Sequence, residues 1–355
     1  YDGEINIDAS VEAMRKAHEL GVNYFDTAYG YGGMKSEVAV GQALADVRKD
    51  VFISTKVPVH AKYADAANWR GHIEQQLERM GTDYIDFWNF HDLQPADHEE
   101  KVMPKGGLMD DVQKAKEDGL IRHICLSCHQ KPETMKQFLD SGCFDGITLQ
   151  YNILDRVNEP VIEYAHSKGI GVIVMGPVGG GKLAEPSERL AEAMPDHVKS
   201  MPELAIRFVM ANPHVTCALS GMNSVEMVEE NCAAASHTEP LTDEEWGRIV
   251  QIAEDMKELK ELYCTGCGYC MPCPNDVDIP RNFELMNYFK VHGFTDLARE
   301  GYAALGASDV AEPTDYQKTH LRASECVECG ECDDKCPQDI EIQAQLKDVA
   351  ETLAQ

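Results

Sequence analysis

Residues 10–27 read SVEAMRKAHELGVNYFDT. Ser10 to Leu20 has the pattern of an amphipathic helix, with Ser10 placed to cap its N-terminus and Gly21 to stop it. Asn23 to Thr27 follows as a short apolar run and reads as a strand. A helix that turns over one glycine into a buried strand is the repeating step of a parallel sheet wrapped in helices. The step recurs to about residue 235, with further strands expected at Val51 to Lys56, Tyr84 to Phe90, Ile121 to Leu126, Gly146 to Tyr151, Gly171 to Met175 and Val215 to Leu219. Gly119, Gly142 and Gly169 close later helices as Gly21 closes the first. Seven strands are one short of a (β/α)8 TIM barrel, which has no sheet edges. The expected architecture is that barrel, its first strand lying before Tyr1. An open doubly wound sheet would instead place Gly-x-Gly-x-x-Gly after an early strand. None follows the first strand, and Gly179-Gly180-Gly181 comes after the sixth with a different spacing.

The chain has 355 residues, and its 32 Lys and Arg against 61 Asp and Glu give a formal charge of −29. Such an excess of negative charge repels phosphate backbones and anionic lipid heads, so neither nucleic acid nor a membrane surface is an expected partner. At 43% hydrophobic and 26% charged, the composition is that of a globular protein with a sizeable core. No apolar run reaches the length of a spanning helix and no signal segment opens the chain, so a cytoplasmic setting is expected. From Leu241 a Glu-rich helical stretch leads toward a region without strand alternation. The expected division is a barrel over 1–255 and a smaller, mostly helical domain over 256–355.

The second domain is defined by its cysteines. Of 13 in the chain, Cys125, Cys128, Cys143, Cys217 and Cys232 are scattered and read as small apolar fillers. The other eight form two runs, Cys264-x2-Cys267-x2-Cys270-x2-Cys273-Pro274 and Cys326-x2-Cys329-x2-Cys332-x3-Cys336-Pro337. Tight C-x2-C repeats and an odd total argue against a disulfide framework. Four thiolates also suit zinc, but zinc sites usually use separated pairs, and the triplet followed by Cys-Pro favours two 4Fe-4S clusters. In two-cluster ferredoxins the cysteine before proline serves the other cluster. The expected sets are Cys264, Cys267, Cys270 and Cys336 for one, and Cys326, Cys329, Cys332 and Cys273 for the other. The long spacer between the runs resembles a helical dicluster ferredoxin module, although the first run has x2 where x3 is usual before Cys-Pro.

Barrel enzymes assemble their sites at the C-terminal ends of strands. Polar residues there are Asp26, Lys56 and His91, with Tyr31 in the glycine-rich loop after the first strand. Singly, each has a bland alternative as a cap, a solvated strand end, a core histidine or a packing aromatic. Together with Gly21 to Ala28, Tyr31-Gly32, Ser36-Glu37, Ser54-Thr55-Lys56, Leu149-Gln150-Tyr151-Asn152 and Glu230-Asn231, they resemble the aldo-keto reductase family over almost all of residues 10–262. A branch of that family carries a C-terminal ferredoxin-like domain, as this chain does. The resemblance implies a (β/α)8 barrel and a catalytic tetrad of Asp26, Tyr31, Lys56 and His91. Hydride delivered to a carbonyl leaves charge on oxygen, which Tyr31 would protonate. Lys56, held by Asp26, would stabilise the tyrosinate, and His91 would orient the substrate oxygen.

The same resemblance places the nicotinamide at Ser127, Cys128 and Gln150, with Met175 and Gly176 against the ring, and the adenosine end at Gly221, Met222, Asn223, Met227, Glu230 and Asn231. Cys128 stands where the family has an asparagine, and a thiol is the poorer hydrogen-bonding group. Met175 stands where an aromatic usually stacks. The loop after the last strand lacks the basic residue that normally holds the NADP 2'-phosphate, which leaves NADP, NAD or a flavin open. Nicotinamide delivers two electrons and each cluster passes one, so the clusters are structural, feed a ferredoxin or flavoprotein carrier, or exchange with the nicotinamide through a flavin. Two functions follow. One is an oxidoreductase acting on a carbonyl or alcohol with clusters linked to another carrier. The alternative is an iron-sulfur electron-transfer module whose barrel is a binding platform.

Overall fold

The computed structural model describes residues 5–59, 69–237, 240–261, 264, 268–336 and 340–354. It divides into two compact units, Tyr1–Gly180 with Pro202–Leu241, and Gly181–Met201 with Thr242–Gln355. This partition differs from a cut at 255/256: the polar helix before the first cysteine run and the excursion 181–201 both group with the second unit.

The first unit is built on one parallel sheet of seven strands in the order of the sequence. They are β1 (Tyr24–Asp26), β2 (Phe52–Pro58), β3 (Ile85–His91), β4 (Ile121–Ser127), β5 (Gly146–Gln150), β6 (Gly171–Met175) and β7 (Cys217–Ala218). Helix α1 (Ile7–Glu19) leads into β1; parallel neighbours need crossover connections, and helices α2 (Ser36–Leu44), α3 (Trp69–Met80), α4 (Leu108–Glu117), α5 (Pro132–Asp140), α6 (Glu159–Ser167) and α7 (Met201–Ala211) supply them, with α8 (Val225–Ala235) following β7. This is the TIM-like barrel architecture. Asp26 pairs with Ser54, Lys56 with Asn89 and Pro58 with His91, so the ends of the first three strands are brought side by side. Beneath them Trp69, Trp88 and Phe90 form a buried aromatic cluster, with ring centroids 5.9 Å apart for Trp69 and Trp88 and 5.1 Å for Trp88 and Phe90.

The first helix starts earlier than the sequence suggests. Asn6, not Ser10, is its N-cap: Asn6 Oδ1 accepts the Ala9 N–H at 3.2 Å, and Ser10 sits inside the helix donating back to the Asn6 carbonyl at 2.9 Å. Asparagine is at least as good a cap as serine, and choosing it adds a helical turn with Asp8 at the favourable end of the dipole. Gly21 ends the helix with φ +100°, a conformation that costs other residues more.

The second unit is helical. Its main helices are α9 (Asp243–Glu261), α10 (Ile279–Lys290), α11 (Thr295–Ala303) and α12 (Ile342–Leu353). Among the described residues it has only isolated bridges, Val277 with Leu321 and Gly306 with Leu321. Buried Asn282 of α10 ties the unit together: its amide donates to the Asp278 and Leu321 carbonyls, and its oxygen accepts the Ala323 N–H at 2.8 Å. Ala323 lies three residues before the second cysteine run, so α10 fixes where that run begins. No described helix is long and apolar enough to cross a membrane.

Candidate functional site

Asp26, at the end of β1, receives hydrogen bonds from Lys56 Nζ and from Ser54 Oγ, the latter at 2.9 Å. Lys56 is 4% exposed and also donates to the Thr27 carbonyl at 2.7 Å. A buried ammonium needs such partners, and here the end of β1 supplies both to a lysine on the neighbouring β2. The negative charge of Asp26 is felt nearby. Burial first, and Asp26 second, push the Cys217 thiol up to about 11 and the Tyr24 phenol far above its ordinary range.

Tyr31 opens a tight turn, Tyr31–Met34, in which Gly32, Gly33 and Met34 all have positive φ. Successive left-handed residues reverse the chain sharply and bring the Tyr31 ring over Lys56, with Nζ 5.1 Å from the ring centroid. His91, the last residue of β3, meets the same ring edge-on, centroids 5.7 Å apart at 80°. The four residues expected to act together therefore converge from three adjacent strand ends.

The residues expected around a nicotinamide divide into two groups. Ser127 ends β4, Gln150 ends β5 and Met175 ends β6, with Gln150 and Met175 directly paired. Gly176 packs on the Gln150 amide so closely that a Cβ there would lie 2.6 Å from its Nε2, a cradle that only glycine leaves open. Cys128, by contrast, is fully buried, its N–H bonded to the Thr148 carbonyl and its thiol pushed up to about 12 by burial.

Gly221, Met222 and Asn223 form the loop after β7, and Asn231 reaches back from α8 to donate to Ser220 Oγ at 2.9 Å. Ser224 caps α8 by accepting the Met227 N–H. Met227 and Glu230 are exposed on that helix. Residues 220–231 contain no Lys or Arg, and Glu226 stands in the first turn, its carboxyl lowered by a backbone N–H and the Ser224 hydroxyl.

In the second unit the cysteines line two cavities. One, of about 370 Å³, has Cys273, Cys326, Cys329 and Cys332 in its wall, with Ile279 and Leu346. The other, of about 280 Å³, has Cys264, Cys270 and Cys336, with Phe283 and Ile342. Cys270 borders both, and Cys267 lies outside the described residues. The proline-preceding cysteine of each run thus stands in the cavity of the other run. Among the described residues no three His, Cys, Asp or Glu side chains gather on a single-ion centre. Burial first, then the charge of Asp333, pushes the Cys332 thiol up to about 11.

Residues 1–254 match the model of the aldo/keto reductase family, and residues 263–341 match that of the 4Fe-4S dicluster domain. The chain belongs to the aldo-keto reductase family. Among its relatives is an L-galactose dehydrogenase of Arabidopsis thaliana, 31% identical over 284 residues, covering 72% of this chain and 88% of the relative. An NADH-specific methylglyoxal reductase of Escherichia coli is 25% identical, covering 66% and 85%. An aldo-keto reductase of Bacillus halodurans is 28% identical with TM-score 0.62, covering 71% of this chain and 89% of that one. A Klebsiella pneumoniae aldo/keto reductase solved with NADP and acetate shares the fold, with TM-score 0.61, 23% identity and coverage of 71% and 88%.

Polar supports that the strand patterns hide complete the site of this aldo-keto reductase. Ser54 and Thr27 hold the Asp26–Lys56 pair, and Asp92, directly after His91, adopts φ +50° and donates its N–H to Ser127 Oγ at 3.2 Å. A hydroxyl inside an otherwise apolar strand is the available signal for Ser54, whereas Thr27 acts through its backbone carbonyl, which no side chain marks. Nothing in the sequence marks the backbone turn at Asp92.

Proposed function

We propose that this aldo-keto reductase transfers hydride between a nicotinamide cofactor and a small carbonyl or alcohol, with Tyr31 as general acid and base. We further propose that its eight C-terminal cysteines hold two 4Fe-4S clusters that pass electrons to or from a ferredoxin or flavoprotein carrier. The observation that carries the reading is the convergence of Tyr31, buried Lys56, Asp26 and His91 at three neighbouring strand ends.

When bound, the nicotinamide supplies or accepts the hydride and the clusters supply single electrons. The chain's own residues handle the proton and the geometry. In the reductive direction the Tyr31 hydroxyl gives its proton to the substrate oxygen as charge develops there. The Lys56 ammonium beneath the ring favours the tyrosinate that remains, and solvent returns the proton. Asp26 and the Thr27 carbonyl keep that ammonium charged and aimed. His91 donates to the same substrate oxygen and sets its direction. Ser127 and Gln150 stand where the carboxamide would be held, and Gly176 leaves room beside them.

The adenosine end favours NAD. Residues 220–231 offer a 2'-phosphate no Lys or Arg of their own, and Lys16, the cation beside them, is paired with Glu229, so the phosphate would forgo charge-assisted hydrogen bonds of about 1.5–3 kcal/mol each. The relative named as NADH-specific fits this reading. L-Galactose and methylglyoxal, the compounds in the relatives' names, are the first probes of substrate class. Thiols destined for clusters suit a reducing cytoplasm. Anaerobic holoprotein mixed with NADH and methylglyoxal tests the proposal, read as NADH oxidation and as reduced-cluster EPR. Cluster reduction with no turnover of any carbonyl would instead favour the electron-transfer module.

A further inference from the structure

We infer that Glu37 is a positioning residue that sets how Tyr31 sits over Lys56. The inference rests on the proposed role of Tyr31. Glu37 is the second residue of α2 and is wholly buried. A buried carboxylate must have its lone pairs answered, and all the groups that answer it come from elements around the site. Oε1 accepts from Thr55 Oγ1 at 2.6 Å and from Gln76 Nε2 at 2.7 Å. Oε2 accepts from Arg79 Nε at 2.7 Å and from Arg79 Nη2. Thr55 directly precedes Lys56 on β2. Gln76 also donates to Thr55 Oγ1 at 3.0 Å, and its oxygen accepts from the buried Trp88 indole at 2.9 Å. Both polar atoms of that amide are engaged, the nitrogen on Glu37 and Thr55 and the oxygen on Trp88, which anchors it.

The loop that carries Tyr31 leaves β1 at Thr27 and enters α2 at Ser36. Both feet are bound to each other and to β2. The hydroxyls of Thr27 and Ser36 are 2.8 Å apart, and the Tyr29 N–H donates to the Lys56 carbonyl at 2.9 Å. Glu37 provides the remaining tie, from the far foot to Thr55. Close approach of α2 and α3 makes it possible. A Cβ on Gly41, one turn after Glu37, would lie 2.3 Å from the Met80 carbonyl oxygen, next to Arg79. The Arg79 guanidinium then lies 4.3 Å from the Tyr29 ring centroid, gripping the loop from its outer side. Without Glu37 the near foot of the loop stays on β2, while the far foot keeps its Ser36–Thr27 contact but loses its direct tie to Thr55, so the Tyr31 turn is held less closely over Lys56.

The charged and titratable groups around this arrangement are few. Arg79 of α3 faces Glu37. Lys56 of β2, Asp26 of β1 and His91 of β3 face Tyr31. Tyr29 faces Arg79 and His72, whose ring is 5.2 Å away. A tyrosine that loses close contact with an ammonium titrates at higher pH.

The test uses full-length holoprotein labelled with 13Cζ-tyrosine, with the Tyr31 signal assigned by its loss in Tyr31→Phe. In Glu37→Gln and in the near-isosteric Thr55→Val, the Tyr31 titration is expected to move up by at least about one pH unit. Methylglyoxal turnover should fall about tenfold in kcat with the KM for NADH unchanged. Thr55→Ser, which keeps the hydroxyl, should restore both. Folded variants that only melt earlier, with Tyr31 titration and kcat as in the parent, would overturn the inference. If Glu37→Gln does not fold, Thr55→Val decides alone. If the parent reduces no carbonyl, the proposed function fails, and the Tyr31 titration still upholds or refutes the positioning role.

Discussion

The side-chain amide of Asn287 donates to the backbone carbonyl of Cys264 at 2.9 Å. Asn287 is buried on α10, one turn after Phe283, which lines the cavity of Cys264, Cys270 and Cys336. One face of a helix therefore packs on the cavity and holds the chain at its first cysteine. Asn287→Leu would remove that hydrogen bond, at a cost of about 0.5–1.5 kcal/mol. The cluster assigned to this cavity should then be lost faster to an iron chelator, while the other persists. Equal rates of loss from both, followed by EPR, would refute the assignment.

Crossing of the two cysteine runs makes a sharper prediction. Cys273 stands with Cys326, Cys329 and Cys332, and Cys336 stands with Cys264 and Cys270. Cys336→Ser should therefore disturb the cluster served by the first run, and Cys273→Ser the cluster served by the second. Pairing each proline-preceding substitution with Cys264→Ala or Cys329→Ala, and reading the g-values of the surviving cluster, distinguishes crossed from uncrossed ligation. Uncrossed ligation would make Cys336→Ser equivalent to Cys329→Ala.

Cofactor preference follows from the acidic entrance of α8. The KM for NADH should be at least about tenfold below that for NADPH, one charge-assisted hydrogen bond being worth that much. Replacing Glu226 and Met227 together by Arg should narrow or reverse the ratio. Equal KM values in the parent would count against the reading of residues 220–231.

Cys128 should be chemically silent. With its thiol pushed up to about 12 by burial, only about one in ten thousand is ionised at pH 8. The thiolate is the reactive form, so alkylation by iodoacetamide at that pH should spare Cys128 in native protein and reach it only after unfolding. Below that range the thiolate fraction rises about tenfold per pH unit but stays minor, so native labelling remains slow. Peptide mass analysis showing rapid native labelling would contradict the buried placement.

Much of the fold is legible in the alternation of short apolar runs with helical stretches. All seven strands fall where that pattern puts them, because a strand enclosed by helices must be apolar almost throughout. The end of the sheet is less legible: Val215 to Leu219 contributes only Cys217–Ala218 to the ladder. The start of α1 is displaced because two capping residues, Asn6 and Ser10, compete and the earlier one wins. The excursion Gly181–Met201 has no periodic signature, and its grouping with the cysteine domain depends on tertiary contacts such as Ser187 Oγ to the His292 carbonyl at 2.5 Å.

The expected tetrad is legible through the family resemblance, because Asp26, Lys56 and His91 near strand ends and Tyr31 in a loop each have a bland reading alone. Ser36-Glu37 belongs to the same matching text, but what Glu37 holds is not legible: only its burial with Gln76 and Arg79, some forty positions away in sequence, shows it. The burial of Cys128 is likewise not legible, since a place in a motif does not tell how exposed the side chain is.

The central claim is that Tyr31 is the working acid and base of a carbonyl site. The measurement that tests it most directly is methylglyoxal-dependent NADH oxidation by anaerobic holoprotein, compared between the parent and Tyr31→Phe, with NADH binding followed by fluorescence. The account predicts that Tyr31→Phe loses activity by about 10²–10⁴-fold, as expected for a positioned proton donor, and binds NADH as before. A Tyr31→Phe protein that reduces methylglyoxal at the parent rate would contradict it.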